Sequence, residues 1–250
     1  MSCHRIRSLV AMALAISCAG AWSDEATIRK AWAERTPHAP PIQDIRKTPI
    51  AGLYELRIGT EVVYSDESGN YMLFPSHDTA DGHLMDMRAR ADLTSARVDE
   101  MTAQEIPGLP YKDAIVRKRG NGSRRMVVFE DPNCHFCKDV EKSFAQLKDV
   151  TIYTFLIPIL GPDSVKKSHD IWCSPNNGAI WQSWMLDGTA PQRGMGQCDI
   201  AAIDRNIALA ARFRVNGTPA ILFDDGSRFA GAVDLDQLAA RLNEASAHKG

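Results

Sequence analysis

The chain has no excess of either charge. Its 29 lysines and arginines meet 31 aspartates and glutamates, for a formal net charge of -2. No basic face is on hand to neutralise a phosphate backbone, and nucleic acid is not expected as a partner. Apolar runs able to span a bilayer are missing too: Leu9 to Ile16 falls far below the roughly 20 residues such a helix needs. No internal repeat or low-complexity tract recurs, which sets aside solenoids and biased linkers. Two further absences concern cysteine. No histidine follows Cys137, where Lys138 stands, so attachment of a c-type haem is disfavoured. No second close-spaced knuckle accompanies Cys134 and Cys137, because Cys173 and Cys198 lie far apart, whereas a structural four-cysteine zinc site ordinarily brings two. No metal and no cofactor is therefore expected.

What the N-terminus does hold is a targeting pattern. Arg5 and Arg7, the apolar run and Ala19-Gly20-Ala21 together read as a secretory signal peptide, residues 1–21, cleaved after Ala21. A competing pattern, Ala15-Ile16-Ser17-Cys18, faintly resembles a lipoprotein box that would acylate Cys18, although the usual leucine is absent from its first position. Export changes the arithmetic of the 6 cysteines. Cys3 and Cys18 leave with the leader, while Cys134, Cys137, Cys173 and Cys198 remain in an oxidising compartment, where several pairings are open. Matching the close pair with itself leaves Cys173 for Cys198. Closing that loop of about 26 residues contributes roughly 3 to 4 kcal/mol in the chain-entropy account.

The chain is organised around Val127-Val128-Phe129-Glu130-Asp131-Pro132-Asn133-Cys134-His135-Phe136-Cys137. A β-branched apolar run ends at an Asp-Pro-Asn turn, and the apolar period then lengthens through Val140, Phe144 and Leu147, so a strand gives way to a helix. Cys134 falls at or just before the first helical turn, where unpaired N–H groups and the positive end of the helix dipole favour a thiolate. An imidazolium at His135 would add to that effect, and Phe136 completes the pair of residues between the sulfurs. Cys137, one turn on, is placed to attack a mixed disulfide and release the partner. Strand, turn and helix around two cysteines form the frame of a redox motif.

Around this centre, residues 24–34 read as a short capped helix, with Ser23 as the cap and Ile28 and Trp32 one turn apart. An antiparallel meander follows in Tyr54–Ile58, Glu61–Ser65 and Tyr71–Phe74. About sixty residues make a marginal core, and pairing with a copy through edge strands would complete it. The expected organisation is a small N-terminal domain over 22–82, either a solvated monomer unit or one that pairs with a copy, a linker helix within 83–108, and a second domain over 109–250. In the latter, Val150–Ile157 is a strand buried on both faces and 163–187 is helical, with Trp172, Trp181 and Trp184 inward. Ile203, Ile207 and Ala210 give one apolar stripe, and Thr218-Pro219 precedes the strand Ala220–Phe223.

This order resembles the thioredoxin fold, and more narrowly the DsbC/DsbG disulfide isomerases of the bacterial periplasm. Phe129-Glu130-Asp131 before Cys134 and Cys137, Ile171-Trp172-Cys173 with Cys198-Asp199, and Val215-Asn216-Gly217-Thr218-Pro219-Ala220 carry the likeness. It implies an α+β / α/β protein: a thioredoxin-like catalytic domain with a helical insertion, behind a helix-plus-meander dimerisation domain and a linker helix. Cys134 would be the attacking thiol, Cys137 the resolving one, Pro219 a cis-proline, and Thr218 a backbone partner for an extended substrate strand. The partners implied are misoxidised exported proteins, a membrane-embedded thiol reductase as electron donor, and a second copy in a homodimer. Two departures stand out. His135-Phe136 replaces the Gly-Tyr of the resemblance. Val128 stands six residues before Cys134, where thioredoxins often bury a carboxylate; Glu130 is a substitute acceptor for Cys137, or a solvent-facing residue by its alternation with Phe129. Alternative readings are a net disulfide oxidase and a dimeric chaperone whose thiols are secondary.

Overall fold

A computed structural model describes residues 19–75, 82–194 and 198–247. Nearly all of the expected leader, with Cys3 and Cys18, lies outside the described residues, as does part of the polar boundary stretch from His77. Two compact units divide between Arg97 and Val98.

In the first unit, helix α1 (Ala19–Arg35) lies on a six-stranded antiparallel meander whose strands keep their sequence order. The strands are β1 (Ile42–Lys47), β2 (Leu53–Ile58), β3 (Glu61–Asp66), β4 (Tyr71–Phe74), β5 (His83–Asp86) and β6 (Ala91–Asp92). Strict alternation in β2 buries Tyr54, Leu56 and Ile58 against Ile28 and Trp32 of α1 and leaves Arg57 exposed. Polar ends are tied as well, the Tyr54 hydroxyl donating to Asp24 at 2.7 Å and the Trp32 indole to the Pro40 carbonyl at 2.9 Å. Helix α1 begins ahead of the expected Ser23 cap. Strands β5 and β6 carry the sheet past residue 82, where the linker was expected to begin. They are too short for a sustained alternation, so the pairing of β5 with β4 and of β6 with β5 comes from tertiary context rather than from a local pattern. The linker helix α2 spans Leu93–Glu105.

The second unit is built on a five-stranded sheet in the order β11-β10-β8-β9-β7. Its strands are β7 (Ile115–Arg119), β8 (Arg124–Glu130), β9 (Val150–Leu156), β10 (Ala220–Phe223) and β11 (Arg228–Ala230). Only β8 and β9 run parallel, which requires a crossover, and helix α3 (His135–Phe144) supplies it. Because β8 has a strand on each side and helices on each face, its alternate residues enter two different cores. Val127 and Phe129 pack with Phe155, Leu209 and Phe213 on one face. Met126 and Val128 pack with Val140, Phe144, Leu238 and Leu242 on the other. Each such side chain contributes on the order of 1.5–3 kcal/mol by leaving water. The two helices behind these faces are α6 (Ala201–Arg212) and α7 (Leu235–Ala247).

The stripe expected on α6 is kept at Ile203 and Ala210, both buried, and broken at its third member. Ile207 is 39% exposed, and Asn206 takes the inward position, donating to the Asp113 carbonyl at 3.0 Å. The helical insertion is broken rather than continuous: α4 (Pro162–Trp172), α5 (Asn177–Gln182) and a π turn over Ser183–Asp187. Of its tryptophans only Trp181 is fully enclosed, whereas Trp172 and Trp184 are partly buried. A disulfide joins Cys173 to Cys198. Gly226 has a positive φ of 84°, and an added Cβ there would stand 1.7 Å from the Asp99 carbonyl, so only glycine lets the β10–β11 turn meet the end of α2.

Candidate active site

Cys134 is the N-cap of α3, with φ -71° and ψ 119°, so its backbone is still extended while its sulfur turns back over the first helical turn. There Sγ accepts the Cys137 N–H at 3.3 Å, the service a serine or aspartate gives at other helix starts. The turn that delivers it is fixed from below. The buried Asp131 carboxylate accepts from Asn133 N at 2.7 Å, Ser164 Oγ at 2.7 Å and Leu160 N at 2.9 Å. The Trp184 indole donates to the Pro132 carbonyl at 2.5 Å, with the Lys138 ammonium 4.0 Å from its ring centre. Asp131 was legible as a turn residue only, and Trp184 only as core.

From the neighbouring strand, the loop before β10 arrives with a cis bond between Thr218 and Pro219. The Cys134 thiol donates to the Thr218 carbonyl at 3.2 Å. Cys134, Cys137, Thr218 and Pro219 are thus gathered at one end of the sheet. Beside them Val215, Pro219, Phe229 and Gly231 line a hollow of about 390 Å³.

The two thiols are pushed in opposite directions. Cys134 is drawn down to about 6, first by a hydrogen bond from the Cys137 thiol and then by the Thr218 side chain and the amides of Cys137 and Phe136, against the cost of its burial. Burial pushes Cys137 up, reinforced by its bond to Cys134 and by Glu130. At neutral pH the first sulfur is therefore mostly thiolate and the second a thiol, the division that sulfur exchange needs.

Cys134 is only 5% exposed, packed with Ile115, Ile171 and Trp181 and with the Thr218 carbonyl against its sulfur. One expectation about its neighbour is corrected. His135 was expected to support the thiolate. Its imidazole, 81% exposed, instead turns to Asp139 one turn on, with Nε2 at 3.3 Å from Oδ2. Phe136 is 58% exposed and offers an apolar ring at the rim. Glu130 is not solvent-facing: in a strand covered on both faces, alternation separates two cores, and Glu130 is fully buried. It belongs to a set with Arg117, Glu141 and Thr154 that sequence reasoning missed. A signal existed for Glu141, an acid in register with Cys137 and Phe144 on the apolar stripe of α3. Among the described residues, no group of three or more His, Cys, Asp or Glu is placed to hold a metal ion.

Comparison with known proteins yields two family matches, a thioredoxin-like domain over residues 111–246 and a disulfide bond isomerase protein N-terminal domain over residues 19–95. A probable thiol:disulfide interchange protein DsbC of Bordetella pertussis is 40% identical over 198 residues, covering 79% of this chain and 67% of that relative. The thiol:disulfide interchange protein DsbC of Escherichia coli K12 is 24% identical over 193 residues, 75% of each chain. Among solved structures, a disulfide interchange protein from Neisseria gonorrhoeae matches with a TM-score of 0.52 and 35% identity, over 55% of this chain and 99% of that one.

Proposed function

The chain belongs to the DsbC family of thiol:disulfide interchange proteins, and from that membership we propose that Cys134 and Cys137 isomerise or reduce incorrect disulfides in exported proteins. The Cys134 thiolate attacks one sulfur of a wrong disulfide. A bond forms between Cys134 and the substrate, the substrate's own S–S bond breaks, and the departing sulfur leaves as a thiolate. That thiolate can attack elsewhere in the substrate and in the end displace Cys134, which returns unchanged. Otherwise Cys137 attacks Cys134, the substrate departs reduced, and the enzyme is left with a Cys134–Cys137 disulfide. A membrane-embedded thiol reductase would restore the dithiol.

The observation that carries this reading is the opposed pair of thiols at the start of α3, one lowered to about 6 and the other raised. Thr218 and Pro219, beside the nucleophile, serve as the edge on which an extended substrate lies, with Phe136 as its apolar neighbour. Because Cys134 is nearly covered, the substrate must come along that edge. Cys173–Cys198 is the structural staple.

The remaining parts follow the same reading. The N-terminal unit is the dimerisation domain, its outer strands β1 and β6 offering the unpaired backbone a second copy can use. Residues 1–21 direct export to the periplasm of a Gram-negative bacterium and are removed, anchorage through Cys18 being the lesser route. Replacing Cys134 with serine is the test: it abolishes rescue of a scrambled disulfide substrate, and full retention of rescue overturns the assignment.

A further inference from the structure

The loop that brings Thr218 to Cys134 also walls the hollow beside it, and it is held at both ends. Val215 N–H donates to the Ala210 carbonyl at 2.9 Å, and Gly231 N–H donates to the Pro219 carbonyl at 2.8 Å. The space enclosed, about 390 Å³, falls within the roughly 300–1,000 Å³ of small-ligand pockets. Val215, Pro219, Leu222 and Phe229 give it an apolar lining, and Thr218 belongs to the same wall.

Charge enters that lining with one sign. Arg214 and Arg228 are its charged members, and among the described residues no acid lines it. Arg228 is partly buried, and its Nη1 donates to the Phe213 carbonyl at 3.0 Å, which fixes the side chain. Arg117, Arg125, Arg205, Arg212 and Arg241 of the same unit each meet a carboxylate. Among the described residues Arg228 meets none. The acids nearest to it in sequence are engaged elsewhere, Asp224 with Arg125 at 2.6 Å and Asp225 with Arg241. A guanidinium drawn partly out of water with only a carbonyl for company keeps its full charge and most of its donors for an anion.

We propose that this hollow is a substrate subsite selecting an acidic side chain, with Arg228 as the residue that sets the preference; this deepens the dithiol reading and rests on it. A substrate strand that pairs with the backbone of Thr218 runs past the mouth of the hollow. Alternate side chains of an extended strand share a face, roughly 7 Å apart. One of them, apolar, packs on Val215, Leu222 and Phe229. The other, a glutamate, presents its carboxylate to the planar fork of Arg228, a geometry suited to two parallel hydrogen bonds. Arg228 takes no part in the exchange of sulfur. It acts on which disulfides are held for Cys134 to attack.

The test uses the whole reduced protein and a series of disulfide-linked pairs of identical peptides, acetylated and amidated so that the side chain alone supplies a carboxylate. Each peptide holds one cysteine and one apolar residue, with Glu, Gln or Lys placed in turn at each position within two residues of the cysteine. Single-turnover attack by Cys134 is measured at low salt and divided by the rate of the same peptide pair with dithiothreitol, which removes intrinsic reactivity. At one position or more, glutamate should outrun glutamine about tenfold, the lower worth of a hydrogen bond to a charged group, and lysine should lag. The margin should shrink as salt rises. Arg228→Gln keeps a donor for the Phe213 carbonyl and should level glutamate with glutamine. Arg228→Glu should reverse the order in favour of lysine, which a loss of structure alone would not produce. Both variants should keep the alkylation midpoint of Cys134. A parent that takes all three peptides within twofold of one another at every position overturns the proposal without any variant having to fold. A glutamate preference that Arg228→Gln leaves intact overturns it too. Either result leaves the dithiol reading standing, because Cys134 still attacks the neutral peptide. A parent that attacks none of the peptides removes the dithiol reading, and the subsite with it.

Discussion

Cys134 Sγ and the Thr218 carbonyl oxygen lie 3.2 Å apart, although one residue caps a helix and the other, 84 residues on, precedes the strand beside β8. That contact both covers the nucleophile and sets it beside the backbone a substrate would use. Thr218→Val keeps the shape and removes the hydroxyl, one of the groups that lower Cys134. The alkylation midpoint should therefore rise from about 6 toward the ordinary thiol range; an unmoved midpoint would show that Thr218 acts only as a wall.

His135→Ala is expected to do little to that midpoint. The imidazole pairs with Asp139 at 3.3 Å and is 81% exposed, and exposed ion pairs contribute about 0–1 kcal/mol. The alkylation profile should stay within about half a unit of the parent; a larger rise would return His135 to the role its place beside Cys134 suggested.

Much of this site was readable from local pattern. The change of period after Asp131-Pro132-Asn133 placed Cys134 at the head of α3, and the alternation of Tyr54, Leu56 and Ile58 identified β2. What escaped depends on residues distant in sequence. Arg117 and Glu141 come from different elements, and nothing near either announces the pair. Glu130 was left between two roles because alternation means inside against outside only in a strand with one wet face, and β8 has none. Ile207 is exposed while Asn206 faces inward and donates to the Asp113 carbonyl, a partner distant in sequence. Strands β5 and β6 are too short to show a period at all.

Stability should separate the two buried acids. Glu141→Gln leaves Arg117 without its bidentate partner and should lower unfolding free energy by about 3–5 kcal/mol, the usual result of breaking a buried pair. Glu130 meets Arg117 only at 3.9 Å and keeps the Thr154 hydroxyl, so Glu130→Gln should cost about 1 kcal/mol, the loss of one ordinary hydrogen bond. Denaturant unfolding of both variants measures this, and equal losses would show that the bidentate contact of Arg117 with Glu141 carries no more of the stability than the longer one with Glu130.

Removing the insertion's staple should be felt in stability ahead of chemistry. Cys173→Ala with Cys198→Ala should lose roughly 3 kcal/mol by chain entropy, with the Cys134 midpoint unchanged. Thermal melting and alkylation of the same sample check both statements.

The central claim is that Cys134 is a thiolate near neutrality because the first turn of α3 and the Cys137 thiol donate to it. Its folded value is depressed, so the ionised form dominates above about 6 and is lost as pH falls through that point. The most direct measurement is the thiolate absorbance of the reduced protein followed across pH, with Cys137→Ala beside it. The account predicts a midpoint near 6 in the parent and a higher one in the variant, where the strongest donor has gone. A parent midpoint in the range of an ordinary thiol, or one that Cys137→Ala leaves in place, would contradict it.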